Sequence, residues 1–243
     1  MLRKEIPENV LTDCKIFSKI TLLSDNSVIL LFEGDIDLKK SQETKNNLLA
    51  SAKTEFLEKG YMQASLRNIC KNAGVTTGAL YFFFEDKEDL FASLVEEPLN
   101  GLYTTLKEHY LDEKEQADSG EVMLHDISLH LEMAKKVICY MYQYHDEFQL
   151  LLEKSQGSRF ENFVDRFVEI SEEHLREISD VMAKQTGREP VGDYIIHWLT
   201  HLLVDMFMHM MTHEVSEKDA VKYIETMVRY LIVGWMDMFD VKL

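Results

Sequence analysis

The sequence is poor in residues that break regular structure: of its 243 residues only 3 are proline and 10 are glycine. All-β folds need many Gly/Pro turns, so this shortage points to a mostly helical chain with few connections. Cysteine is scarce as well. Cys14, Cys70 and Cys139 are too few and too scattered for a disulfide framework or a structural zinc site, and a reducing cytoplasm is the expected location. Long apolar runs are missing. The most apolar stretch, residues 195–211, is interrupted by His197, His201, Asp205 and His209, which a spanning helix hardly tolerates. Near the N-terminus, Glu5, Pro7 and Glu8 stand where an export signal needs an apolar run. Positive charge is also in deficit, with 26 Lys+Arg against 43 Asp+Glu and a formal net charge of −17. That excludes a broadly basic coat for nucleic acid, because phosphate affinity comes mainly from Lys and Arg. What remains, 46% hydrophobic and 28% charged residues, suffices for a sizeable buried core.

The charge is unevenly spread. Residues 1–38 carry a net −3, residues 39–84 a net +4, and residues 85–243 a net −18. One short basic segment therefore sits in an otherwise acidic chain. The first 40 residues also differ in pattern. Residues 15–21 and 27–32 are rich in Ile, Leu, Phe and Val around the turn cluster Ser24-Asp25-Asn26-Ser27, which predicts a β-hairpin. Glu33-Gly34-Asp35 can be encoded by a purine-rich tract like a ribosome-binding site, and Leu38 by a start codon. Residues 1–40 are accordingly expected to be an extension outside the native fold, with a genuine short N-terminal extension as the alternative.

From Ser41 onward helical periodicity takes over. Leu48, Leu49, Ala52, Phe56 and Leu57 share one helical face, and Gly60 is placed to end that helix in a left-handed cap. Ser65 is a good N-cap for a second helix with Leu66, Ile69 and Cys70 inward. Ala73-Gly74-Val75 reads as a tight turn where two helices approach closely. Thr76 or Thr77 caps a short third helix carrying Leu80, Tyr81 and Phe84. Two helices joined by a Gly-containing turn make a helix-turn-helix, whose last helix enters the major groove of DNA.

Residues 65–90 resemble the TetR/AcrR family of bacterial transcription regulators. They hold its pattern of an Ile-led second helix (Ile69), Ala73-Gly74-Val75, a recognition helix opening Gly78-x-Leu80-Tyr81, a closing Phe84, then Lys87-x-x-Leu90. The resemblance implies DNA-binding residues at Lys45, Ser65, Arg67, Thr76, Thr77, Gly78, Ala79, Tyr81, Phe82 and Lys87, with Ser65, Tyr81 and Lys87 on phosphates. Leu66, Ile69, Val75, Leu80 and Phe84 are expected in the core and Phe83 half-buried. The sequence departs from the family pattern at Ala64, Thr77 and Phe82. Its recognition helix is therefore short of hydrogen-bonding side chains, leaving Thr hydroxyls and apolar contact with thymine methyls, and an A·T-rich site is expected.

After Leu90 the periodicity predicts helices over residues 86–111, 121–145, 147–155, 158–185, 191–212 and 217–240, with Pro98 kinking or restarting the first. The fold class expected is all-α: an N-terminal three-helix helix-turn-helix domain over residues 41–88, then a larger helical ligand-binding and dimerisation domain over residues 89–243. The last two helices carry apolar residues on more than one face, and the resemblance implies a homodimer through residues 191–240. It also implies a pocket for an unidentified small-molecule effector, apolar or aromatic in kind. Candidate lining residues are Tyr103, Met133, Tyr140, Met141, Tyr144, Phe163, Phe167 and Trp198.

No nucleophile–base pair, Gly-rich phosphate loop or metalloprotease signature is present, so no catalysis and no cofactor is expected. His197, His201, Asp205, His209 and His213 recur every four residues. Successive members share a face at metal-ligand spacing while the ends diverge by roughly 160°. They are expected at a polar rim or dimer seam, with no metal; a metal-sensing or metal-dependent protein using this stripe is the alternative. A helix-turn-helix serving only protein contacts is a further one. The leading expectation is a ligand-responsive regulator of palindromic, double-stranded operator DNA, with no membrane partner.

Overall fold

The computed structural model describes residues 17–22, 28–118, 127–213 and 215–241, with side chains from residue 38 onward except at 117 and 118. β1 (Phe17–Leu22) and β2 (Val28–Phe32) form an antiparallel hairpin in which Phe17 pairs with Phe32 and Leu22 with Val28. The turn cluster at residues 24–27 lies outside the described residues, as does Cys14. Chain direction passes from β2 straight into α1 (Glu33–Gln63), so the helix starts ahead of Ser41. At Gly60 the backbone leaves helical geometry, with φ 74° and ψ 164°. The positive φ is what calls for glycine there, but the extended ψ makes a sharp kink rather than the left-handed cap that the sequence suggested.

α2 (Leu66–Asn72) and α3 (Thr77–Phe83) follow, each capped as expected: Ser65 Oγ accepts from Asn68 N–H and Thr76 Oγ1 from Ala79 N–H. The turn between them differs from the sequence reading in its reason. A Cβ on Gly74 would meet nothing within 4 Å, so no close helix approach demands glycine; its φ of +70° does. Val75 N–H then returns to Cys70 O, closing the turn. Of the five expected core residues, Ile69, Leu80 and Phe84 are fully buried, while Leu66 and Val75 are half-buried against them. Phe83 is half-buried.

The body comprises α4 (Lys87–Asp118), α5 (Ile127–Gln143), α6 (His145–Lys154), α7 (Phe163–Thr186), α8 (Asp193–Thr212) and α9 (Glu217–Met238). Residues 158–162, expected to be helical, instead form turns that carry the buried Phe160 ahead of α7. α7 ends where Gly187 takes the left-handed conformation, and Ser216 caps α9 by accepting from Asp219 N–H at 3.2 Å. Among the described residues no helix is long and apolar enough to cross a membrane.

α4 runs through Pro98 without restarting. Proline lacks the N–H that would bond back one turn, and the local packing there depends on a second helix. Tyr140 of α5 donates its hydroxyl to Pro98 O at 3.0 Å, and Gly101 leaves room for it: a Cβ on Gly101 would lie 2.1 Å from that hydroxyl. Gly101→Ala should therefore push Tyr140 out and destabilise the chain by about 1–3 kcal/mol. Denaturant unfolding should show the loss, and Tyr140→Phe in the Gly101→Ala background should recover part of it. Without that recovery the clash is not the cause.

One apolar core runs across the boundary that the sequence placed near residue 88. Leu48, Phe56, Ile69, Leu80 and Phe84 from the first three helices are continuous with Phe91, Val95, Met141, Phe148 and Phe160 of the body. Two smaller cores hold α9 in place: Ile138, Met206 and Ile224 join it to α5 and α8, and Met182, Ile196 and Trp235 join it to α7 and α8.

Candidate nucleic-acid interface and cavity

The start of α2 is fixed by a residue that the sequence did not single out. Glu55 of α1 is 5% exposed, and its Oε1 accepts from Ser65 N–H at 3.1 Å and Asn68 Nδ2 at 3.4 Å. Ser51 adds a hydroxyl bond to Ile69 O at 2.9 Å. These polar ties set the angle between α1 and α2, and the Ala73–Val75 turn sets that between α2 and α3. The exposed edge of α3 then presents Thr76, Thr77 and Gly78, with Ala79 half-covered. Tyr81 and Phe82 stand out at 58% and 78% exposure, although both are large and apolar. Phe82 is held edge-on against Phe83, ring centroids 5.0 Å apart. Thr76 spends its hydroxyl on the cap, so Thr77 is left as the free hydroxyl of the first turn.

Cations flank this edge. Arg67 and Lys71 are exposed on α2, and Lys45 Nζ lies over the Phe84 ring at 5.8 Å. Lys87 is more constrained: its ammonium donates to Met62 O at 3.1 Å and lies 4.8 Å from the Tyr61 ring centroid. Burial lowers its pKa from the ordinary lysine value. Behind it, Asp86 Oδ1 accepts from Asp89 N–H while Asp89 Oδ2 accepts from Glu85 N–H, a reciprocal pair that starts α4. Tyr61 also donates to Glu88 Oε2 at 2.8 Å. Its pKa rises to about 12, through burial first and then Glu88.

The body encloses a cavity of about 830 Å³ between α4, α5, α7, α8 and α9, within the range of about 300–1,000 Å³ typical of small-molecule sites. Of the residues proposed for a pocket, Met133, Met141, Phe167 and Trp198 line it. Four others do not. Tyr103 backs the wall, stacking on Phe167 at 4.3 Å with its hydroxyl on Phe163 O. Phe163 sits behind Phe167. Tyr140 turns to Pro98, and Tyr144 packs on Tyr140. Helical periodicity alone does not say which side of α5 faces inward; the Pro98–Tyr140 contact and the packing on α9 decide it.

Most of the lining is apolar, but one end is polar and was missed from the sequence. Glu113 is 5% exposed, with His109 Nε2 at 3.1 Å and His130 Nδ1 at 3.0 Å from its Oε1, and His174 Nε2 at 2.5 Å from its Oε2. Burial alone would raise the Glu113 pKa; the three imidazoles outweigh it and hold the carboxyl well below the usual carboxylate range. Tyr110 stacks on His174 with centroids 3.9 Å apart and bonds Ser171 Oγ at 2.9 Å. The legible signal was His109-x-x-x-Glu113, one helical turn apart; the other imidazoles come from α5 and α7.

The stripe on α8 resolves into two histidine pairs. The His197 and His201 rings are 4.6 Å apart, with His197 Nδ1 2.9 Å from Glu172 Oε2; His209 and His213 are 3.7 Å apart. Asp205 is exposed. Among the described residues, the group whose ligand atoms converge is His109, Glu113 and His130, not the stripe. This removes the footing of the stripe as a metal centre: a step of four residues rotates about 40°, so the pairs face different directions.

The exposed surface of α8 and α9 is unusually apolar. On α9, Tyr223, Met227 and Tyr230 are exposed along one stripe that continues to the exposed Gly234, and on α8 Tyr194, Ile195 and Trp198 are exposed. Trp198, Tyr230, Val233 and Met238 also line the cavity, so its mouth opens on this face.

Comparison with known proteins concentrates on the first helices. Residues 48–94 match the family described as bacterial regulatory proteins, tetR family. The HTH-type transcriptional repressor BepR of Brucella suis biovar 1 (strain 1330) is 46% identical over 56 residues, 23% of this chain and 27% of that protein. The fatty acid metabolism regulator protein of Bacillus subtilis (strain 168) is 30% identical over 96 residues, 40% of this chain and 48% of that protein. The match thus spans between a quarter and a half of these curated relatives. At the level of fold, a Streptomyces coelicolor A3 regulator, SCO3833, superposes with a TM-score of 0.54 at 22% identity, over 77% of this chain and 90% of that one.

Proposed function

We propose that this chain, a member of the tetR family of bacterial regulatory proteins by its residues 48–94, is a ligand-responsive transcriptional repressor that binds palindromic operator DNA as a homodimer. The observation that carries the reading is α4. Its first turn holds Lys87 against the helix-turn-helix unit, and further along Leu102, Leu106, Tyr110 and Glu113 wall the cavity. A ligand that fits the cavity better in one position of α4 shifts the population toward that position, and the two recognition helices of a dimer change spacing with it.

The effector is a small molecule with a largely apolar or aromatic body, matching a lining of Leu, Met, Val and Phe. A relative named for fatty acid metabolism supports a long apolar chain as the first candidate class. The exposed stripe of α8 and α9 is the surface on which a second copy packs. Tyrosine and tryptophan are enriched at such interfaces, and Gly234, whose added Cβ would meet nothing in its own chain, leaves room for close approach.

The test is binding of the full chain to DNA from upstream of its own gene across a salt series, repeated with free fatty acids and aromatic compounds. Affinity should fall as salt rises, and at least one ligand should release the DNA. No binding at low salt would leave the helix-turn-helix without a nucleic-acid role. On the bound sequence, Phe82→Ala should cost about 1–3 kcal/mol, as for a lost base contact. The loss should vanish when the contacted A·T pair is replaced by G·C; equal loss on both duplexes would remove thymine contact as the explanation.

A further inference from the structure

We propose that the polar end of the cavity is a binding site for one divalent first-row transition-metal ion of zinc-like preference, held by His109, Glu113 and His130, with His174 positioning the carboxylate. The ligand atoms of the three residues lie within 4.8 Å of one another. Their closest approaches, His109 Nε2 and His130 Nδ1 to Glu113 Oε1, are 3.1 and 3.0 Å. Neither has hydrogen-bond geometry: Glu113 Oε1 is buried without a hydrogen-bonding partner, as is His130 Nε2. Each imidazole nitrogen thus stands from the carboxylate oxygen at the separation of neighbouring positions in a coordination polyhedron, without directing a proton at it. Zinc bonds of about 2.0–2.1 Å in a tetrahedron put neighbouring ligand atoms about 3.3 Å apart.

The surroundings support the same assignment. His174 Nε2 bonds the other carboxylate oxygen, Glu113 Oε2, at 2.5 Å, and its ring is fixed by the stacked Tyr110, itself tied to Ser171. Groups that hold a ligating residue in this way are a regular part of metal sites. Two imidazole nitrogens favour zinc, nickel, cobalt or iron over magnesium and calcium, which prefer oxygen throughout. The three ligands face the cavity, so a further coordination position opens toward it for water or an oxygen of a bound molecule. An ion there ties α4 to α5 across the cavity. Metal binding there needs neither the effector nor DNA.

The experiment uses the tag-free full chain, stripped with chelator and titrated with Zn²⁺ alone by calorimetry, with Co²⁺ as a spectroscopic probe. One zinc ion should bind per chain, and cobalt should show the visible absorption of a four- or five-coordinate nitrogen-ligated site. His130→Asn should abolish this binding, and His174→Gln should weaken it by about 10–100-fold. His197→Ala/His201→Ala should bind as the wild type does. The proposal is overturned if the wild type shows no saturable zinc binding, if cobalt keeps the faint spectrum of the hydrated ion, or if His130→Asn binds equally well. Loss confined to the His197/His201 variant overturns it too. Should His130→Asn fail to fold by circular dichroism, the cobalt spectrum and the His174→Gln titration decide alone.

Discussion

Replacing Phe91 by alanine is expected to destabilise the chain by about 3–5 kcal/mol. The ring has no exposed surface, and it lies between Phe56 and Tyr61 of α1, at 5.0 and 5.3 Å, and Phe160 of the body at 6.0 Å. Its removal opens a void where the core of the first three helices joins that of the body. The unit of Leu48, Ile69, Leu80 and Phe84 keeps apolar contacts of its own, so the effect should go beyond a lower midpoint. Thermal or denaturant unfolding should be a single transition in the wild type and split into two in Phe91→Ala. A loss below about 1 kcal/mol with one transition would mean that the joint is not cooperative. Phe82→Ala, at an exposed ring of similar size, is the control and should stay within about 0.5 kcal/mol of wild type.

The second large effect is expected on DNA rather than on folding. Tyr223→Glu/Tyr230→Glu places two carboxylates on the exposed stripe of α9, about two helical turns apart. Each charge must be desolvated if a second copy covers this face, whereas in the single chain both rings are exposed, Tyr230 at the cavity mouth. Sedimentation should then give a monomer, with a helical signal and melting temperature close to those of the wild-type chain. Affinity for a palindromic operator should drop by about 10²–10⁴-fold, because the second half-site is no longer delivered at high effective concentration. Binding to an isolated half-site should change little. A variant that stays dimeric would place the interface elsewhere, and a monomer with undiminished operator affinity would remove the two-fold mode of binding.

How much was legible follows from what each feature depends on. The helix-turn-helix was, because its signals are local: a Ser65 cap, a Gly74 with positive φ, a Thr76 cap and the spacing of Ile69, Leu80 and Phe84. The long body helices were too, since apolar residues repeat with the helical period and breaks fall at glycine. Gly60 was half-read: its position as a break was visible, while its extended ψ follows from how α1 meets α2. The cavity was read poorly for a different reason. Tyr140, Tyr144 and Phe163 are large and ring-bearing like Phe167, and what separates them is rotation of each helix about its axis, fixed by contacts such as the Tyr140 hydroxyl with Pro98 O. The cluster around Glu113 draws on three helices, so within the sequence its members are far-separated histidines. The stripe on α8, by contrast, was legible as divergent, because its regular four-residue spacing carries its ends apart around the helix.

The position of the cavity mouth bears on the speed of the response. Trp198, Tyr230, Val233 and Met238 both line the cavity and lie on the exposed face of α8 and α9. With a second copy seated on that face, the route in and out of the cavity passes through the seam between the two chains. Ligand exchange then becomes limited by how often the seam parts, and loading slows as protein concentration rises. In such a pair a bound ligand would stay for as long as the seam is closed, and its release would be timed by subunit exchange rather than by ligand affinity.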